Sequence, residues 1–242
     1  MTIGLVGYGR FGRLVARYLS RYASVLVYDN RPAVLAARRG RVWRASLPKV
    51  ASQSVVVLAV PMSALRLTLR SIRRYVRPGA LVIDVCTLKM KPIQWMRASL
   101  PSSVNILGMH PLFGPDSDRG TLRGQRIVLC PARIPRPLLL RVRRLLRARG
   151  LKVTLMTPAQ HDRMIAETIM LTHYVGRFVH YAGIPRWRHI TPSYVNLLSV
   201  VDVIPFTDAL CGETSLEASH VSWSGNSLKQ CWCRVPMVFL IG

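Results

Sequence analysis

Three short stretches hold the residue types that chemistry needs. The first is Gly7-x-Gly9-x-x-Gly12, set between the strand-like run "TIGLV" and the helix-like "RFGRLVARYLSR". At this spacing Gly7 makes a tight turn, Gly9 lets a pyrophosphate approach the backbone, and Gly12 lets the helix pack closely, its N-terminus facing the phosphates. Asp29 ends the next apolar run, 20 residues after Gly9, where a carboxylate binds ribose hydroxyls. A carboxylate there favours NAD, because it repels the 2′-phosphate of NADP. Arg31 follows two residues later and can receive that phosphate, so NADP stays open. Arg10 and Phe11 in the glycine loop, and Val60 and Pro61 after the third apolar run, complete the expected cofactor lining.

The second stretch, "DVCTLKM", places Thr87 and Lys89 just past a strand-like run. The third, "GMHPLFGPDS", breaks from an apolar run into a stiff loop at His110. If its strand is parallel to its neighbours, His110 lies on the edge where such sheets bind ligands. A histidine there can accept a proton from a substrate hydroxyl as hydride leaves the same carbon. The plainer reading is a packed histidine bonded to a backbone carbonyl.

The elements that must position these residues follow from the pattern of apolar runs. Strands are expected at Thr2 to Val6, Ser24 to Tyr28, Ser54 to Val60, Ala80 to Val85, Val104 to Met109, Arg126 to Cys130 and Lys152 to Leu155. Helices are expected near Arg10 to Arg21, Met62 to Tyr75 and Pro137 to Arg149. Such alternation reads as a parallel sheet with crossover helices, because strands buried on both faces are continuously apolar. At Thr157 the pattern changes: Thr157, Pro158 and Gln160 form a capping box that opens a long helix, His161 to about Tyr181. The expected architecture is α/β, with an N-terminal Rossmann-like dinucleotide-binding domain over 1–156 and a smaller all-helical domain over 157–242. From about Pro205 arginine nearly vanishes and helical periodicity is lost, so 205–242 is an atypical tail.

Composition narrows the class. The chain has 242 residues, half of them hydrophobic, with 35 basic residues against 10 acidic and a formal charge of +25. The arginines recur at helical spacing opposite Leu and Val, as in "LRLTLRSIRRYVR", which is the pattern of solvated helix faces. A nucleic-acid reading therefore rests on charge alone. Five irregularly spaced cysteines suggest free thiols rather than a disulfide framework, and no metal site is expected. No apolar run reaches the roughly 18 residues a membrane span needs. The first residues enter a strand without a leader pattern, so a cytoplasmic protein is expected.

With "HPLFGPDS", "QHDRMIAETIMLTHYVGRF" and "TPSYVNLL" taken together, the sequence resembles the prephenate and arogenate dehydrogenases of tyrosine biosynthesis from Thr2 to about Phe206. The resemblance implies oxidative decarboxylation of prephenate, or of arogenate, coupled to reduction of NAD. It implies that His110 accepts the proton of the ring hydroxyl, that Thr87 orients His110 and contacts the nicotinamide, and that His173 lines the substrate pocket. It also implies a homodimer if the C-terminal helices are intact. His161 and Asp162 are read as structural. Two departures stand out: Val195 follows Pro192-Ser193-Tyr194 where the family commonly has a carboxylate-binding Arg, and the tail does not match. Arg186 or Arg188 could replace that Arg, and a catalytically impaired relative that still binds a dinucleotide is the alternative.

Overall fold

The computed structural model describes residues 1–31, 38–181 and 191–203. Residues 1–204 form one compact unit. The remaining residues, 205–242, lie outside the described residues, as do Arg186 and Arg188.

The strands are β1 (Thr2–Val6), β2 (Ser24–Tyr28), β3 (Arg38–Arg39), β4 (Val42–Arg44), β5 (Val55–Leu58), β6 (Leu81–Asp84), β7 (Asn105–Pro111), β8 (Arg126–Arg133) and β9 (Lys152–Leu155). They join one sheet in the order β3-β4-β2-β1-β5-β6-β7-β8-β9. From β4 across to β7 every pairing is parallel. Helices α1 (Arg10–Leu19) and α5 (Arg136–Ala148) cover one face, and α2 (Leu47–Ala51), α3 (Met62–Ile72) and α4 (Met90–Ser99) cover the other.

The period of two in each strand decides which side chain meets which layer. On β1, Ile3 and Leu5 join Ala16, Val25 and Val27 in the core under α1, while Val6 joins Val50, Leu65, Leu69 and Met96 in the core under α2 to α4. Both faces are dry, which is why the central strands read as unbroken apolar runs. Gly4 points towards α2, and a Cβ there would stand 2.1 Å from the Val50 carbonyl oxygen. The absent side chain is what lets α2 lie directly on β1.

Two departures from the expected pattern have physical causes. The short β3–β4 hairpin and helix α2 are too brief to register as periodic runs, and α4, as long as α1, carries only a weak apolar stripe. Also, β8 runs antiparallel to β7. The expectation of parallel strands assumed a crossover helix, but residues 112–125 contain Gly114, Pro115, Gly120 and Gly124, with Gly120 and Gly124 at positive φ. A loop of this kind turns back along the same edge, whereas parallel return needs a crossover. Helix α5 then returns the chain so that β9 pairs parallel to β8.

Helix α6 (Pro158–Ile165) opens with the expected capping box: the Gln160 N–H donates to Thr157 Oγ1 at 3.2 Å, and the Thr157 N–H donates to Gln160 Oε1 at 3.0 Å. A π-helical turn, Ala166–Met170, carries α6 into α7 (Leu171–Tyr181), giving the expected long helical run in three pieces. Helix α8 (Pro192–Val203) packs on α7 through Val179, Leu198, Tyr194 and Leu197. No helix among the described residues is long and apolar enough to cross a membrane.

Replacing Gly4 with Ala forces α2 away from β1. The expected cost is about 1–3 kcal/mol of unfolding free energy, read as a lower urea midpoint at unchanged slope.

Candidate active site

At the β1/β5 boundary the chain departs to opposite faces, β1 into α1 and β5 into α3, which leaves a crevice beyond the carboxyl ends of the two strands. The glycine motif lines it. Gly7 has φ of 96°, and a Cβ there would stand 2.3 Å from the Ala59 carbonyl oxygen; at Gly12 it would stand 2.2 Å from the Gly7 carbonyl oxygen. Backbone packing therefore demands both. At Gly9 the nearest atom would be an Arg31 guanidinium nitrogen 3.9 Å away, so the space in front of Gly9 is open.

Gly9 is the N-cap of α1, with no side-chain cap and no acidic residue in the first turn. The unpaired amides of that turn are oriented to receive an anion. Asp29, at the tip of β2, accepts hydrogen bonds from the Tyr8 N–H at 2.7 Å and the Arg31 N–H at 2.9 Å. Burial raises its pKa, but these bonds and the Arg31 charge outweigh burial and hold it below the usual carboxylate range. A carboxylate has about four acceptor positions, so some remain for ribose hydroxyls. Val60 and Pro61 form the opposite lip, with Pro61 as N-cap of α3. An open cradle, an uncapped helix start and an ionised carboxylate fit a dinucleotide.

The loop after β7 lies against α1. Arg10 pairs with Asp116, while Arg17 and Tyr18 both donate to Asp118. Phe113 meets the Tyr18 ring edge-on with centroids 6.4 Å apart. Phe11 is half-buried beside Arg10 in the first turn of α1. The loop carrying "HPLFGPDS" is thus fastened to the helix that follows the glycine motif.

Because β7 is parallel to β6, His110 emerges at the carboxyl edge of the sheet, as the conditional sequence argument required. It is 9% exposed. Its Nδ1 lies 2.9 Å from Nε2 of His161, and His161 Nδ1 lies 2.8 Å from Asp162 Oδ1. Hydrogen-bond logic assigns the tautomers. An ionised Asp162 only accepts, so His161 carries its proton on Nδ1 and offers a lone pair at Nε2. His110 must then donate from Nδ1, which leaves its Nε2 as a free acceptor. Burial first, then the Lys89 charge and His161, push the His110 pKa down to about 3, against an opposing pull from Asp162, so the ring is neutral at physiological pH.

Asp162 does more than end this chain. It accepts from the Lys89 N–H at 2.7 Å and the Met90 N–H at 2.9 Å, the N-cap and first residue of α4. Burial raises its pKa, while His161 and the two amides lower it further than burial raises it. Below His110 the Lys89 ammonium is fully buried and paired with the equally buried Asp84, whose other oxygen accepts from the Cys86 N–H at 2.8 Å. Gly108 makes room for this lysine: a Cβ there would stand 3.0 Å from Lys89 Cδ and 2.9 Å from Ile93 Cδ1.

The structure thus gathers Gly7, Gly9, Gly12, Asp29, Arg31, Val60 and Pro61 around the crevice. It places His110 on the same sheet edge, with half-buried Thr87 after β6. The Nδ1 partner of His110 is His161, and no hydrogen bond to Thr87 joins it. The backbone of His173 lies in α7, and its side chain falls outside the described residues. His161 and Asp162, which sequence reasoning treated as structural, meet the candidate base across 51 residues of chain. A His-Asp dipeptide in the first turn of a helix was the only signal.

Comparison with known proteins converges on the same picture. Residues 15–155 match the family described as prephenate dehydrogenase, nucleotide-binding domain. A probable arogenate/prephenate dehydrogenase of Methanocaldococcus jannaschii is 28% identical over 122 residues, covering 50% of this chain and 27% of its own length. Arogenate dehydrogenase 2, chloroplastic, of Arabidopsis thaliana is 26% identical over 212 residues, covering 84% and 59%. The chain therefore spans between about a quarter and three-fifths of these relatives. A crystal structure of prephenate dehydrogenase from A. aeolicus, in complex with hydroxyphenyl propionate and NAD+, shares the fold with a TM-score of 0.69 at 22% identity, covering 85% of this chain and 79% of that one. The family match takes in well over half the sequence, including Asp29, Thr87 and His110, and the chain belongs to the prephenate dehydrogenase nucleotide-binding domain family.

Proposed function

We propose that this chain is an NAD-dependent prephenate dehydrogenase that oxidatively decarboxylates prephenate to 4-hydroxyphenylpyruvate in the cytoplasm, with arogenate as the alternative substrate. The observation that carries this reading is the Asp162–His161–His110 chain, which presents an unprotonated His110 Nε2 on the sheet edge that holds the glycine cradle. The names of the relatives support the substrate class, and the NAD+ in the A. aeolicus complex supports the choice of cofactor.

Bound in the crevice, the nicotinamide would supply a hydride acceptor for the carbon bearing the substrate hydroxyl. Gly9, the first turn of α1 and Arg10 would hold the pyrophosphate, and Asp29 the ribose hydroxyls, with Phe11, Arg31, Val60 and Pro61 lining the site. His110 Nε2 accepts the hydroxyl proton as hydride leaves the same carbon and carbon dioxide departs. The resulting imidazolium is stabilised through His161 by the Asp162 carboxylate. A pKa near 3 makes a weak base at rest, and the negative charge of a bound carboxylate substrate raises it towards the working range. Thr87 would orient the hydroxyl, and His173 would contact the polar groups of the substrate. Val195 on α8 is exposed and provides no cation, so the clamp on the substrate carboxylate falls to Arg186 or Arg188.

A homodimer is part of the proposal. Leu171, Tyr174, Val175, Phe178 and Tyr181 are all exposed and recur along one stripe of α7, as expected of a helix that packs on a second copy.

The direct test is NADH formation at 340 nm by the full chain with prephenate, repeated with arogenate and with NADP. Turnover is expected with NAD, and its complete absence despite measurable NAD binding would leave a catalytically impaired relative. His110→Asn should lower kcat by at least about a hundredfold with NAD affinity nearly unchanged. Asp162→Asn should move the acid limb of kcat/KM to lower pH, because the Asp162 carboxylate opposes the depression of the His110 pKa. The same depression links to stability. The neutral folded state of His110 is an advantage above about 6.5 that is lost as pH falls towards about 3. Asp29→Ala should weaken NAD more than NADP in parallel titrations; an unchanged ratio assigns cofactor choice elsewhere. Light scattering should give twice the chain mass of 27.2 kDa, and Phe178→Glu should return it to that of one chain.

A further inference from the structure

On the far side of the sheet from the glycine loop's helix lies a solvent-open groove of about 240 Å³ between α3 and α4. Arg66, Arg70 and Arg73 line it from α3, and Trp95, Ala98 and Ser99 line it from α4. The spacing of four and three residues sets the arginines on one stripe, one step round the helix from the buried Leu65, Leu69 and Ile72. The Arg66 guanidinium lies over the Trp95 ring, 5.8 Å from its centroid, which fixes one wall.

Every carboxylate whose side chain is described is already engaged elsewhere. Asp29, Asp84, Asp116, Asp118, Asp162 and Glu167 are engaged with Arg31, Lys89, Arg10, Arg17, His161 and Arg163 respectively. The plainest role for arginines here is to complement helix dipoles, since Arg70 and Arg73 sit in the last turn and at the C-cap of α3, and Ser99 ends α4. Each helix end offers roughly half a negative charge. Two ends neutralise about one of three arginines, so about two positive charges remain in a concave site.

We infer that this α3/α4 groove is a binding site for a compact multivalent phosphate, such as a short polyphosphate or the polyphosphate of a nucleotide. The guanidinium fork matches phosphate oxygens in pairs, and the Ser99 hydroxyl adds a donor. The volume lies below the roughly 300 Å³ at which sites for larger organic ligands begin, which favours an inorganic or short-chain anion over a whole dinucleotide. Both helices run back from the carboxyl edge of parallel strands, so the arginine end of the groove lies towards the opposite edge from the cofactor crevice. The inference does not rest on the proposed dehydrogenase activity.

The test is calorimetric titration of the full chain with inorganic tripolyphosphate at about 150 mM salt, where loosely screened surface attraction is weakened, with saturating NAD present. Saturable binding is expected, with a change in tryptophan fluorescence from Trp95. Arg70→Gln and Arg73→Gln should each weaken it at least about tenfold, while Arg141→Gln on α5 leaves it unchanged. Absence of saturable binding, or equal loss in the Arg141 variant, overturns the site. Tighter binding of a random-sequence oligonucleotide that is indifferent to the Arg70 and Arg73 changes overturns it in favour of a diffuse nucleic-acid surface.

Discussion

The Asp162 carboxylate holds the candidate site together. It closes two backbone amides at the start of α4 and one imidazole N–H at the start of α6, so a single half-buried charge satisfies donors from two elements. Leaving the part-buried Lys89 amide unpaired would cost about 1–3 kcal/mol, whereas the exposed Met90 amide would turn to water. The carboxylate is thereby kept ionised, and its ionisation dictates the proton position on His161 and then on His110. Helix capping and base orientation are one interaction.

A second arrangement serves the cofactor side. The glycine loop and Asp29 belong to β1, α1 and β2, while His110 belongs to β7, four strands away in the sheet order from β2. Parallel pairing brings their carboxyl ends to one edge, and the loop after His110 crosses back to α1 through Asp116 and Asp118. The antiparallel turn into β8 is what frees that loop from carrying a crossover helix. The glycine cradle and the loop that follows His110 are therefore mounted on segments that are joined directly by ion pairs.

Much of this was legible in the residues. Continuous apolar runs located the central strands, because burial on both faces leaves no alternation to confuse the reading. Gly7 and Gly12 announced their roles because backbone sterics leave no other residue type workable there. The Thr157 capping box was readable since its partners lie three residues apart. The direction of β8 was not, as strand direction depends on the path of the preceding loop rather than on the strand itself. The His110–His161 bond and the capping of α4 by Asp162 join residues 51 and 73 positions apart, and no local pattern encodes such meetings. Lys89 was noted beside Thr87, but its burial against Asp84 depends on the empty space at Gly108, which only three-dimensional packing reveals.

That empty space ties several positions together. A side chain at 108 would collide with both Ile93 and the stem of Lys89, and Cys130 closes the third side at 3.3 Å. Any enlargement at 108 must therefore be matched by shortening at 93 or by displacement of Lys89, and moving Lys89 strands the Asp84 charge in a dry interior. A change of one methyl group, two residues from His110, would thus be felt as a change in the local electric field. Positions 84, 89, 93 and 108 therefore form one packing and charge unit, in which a change at one alters the space or the charge balance at the others.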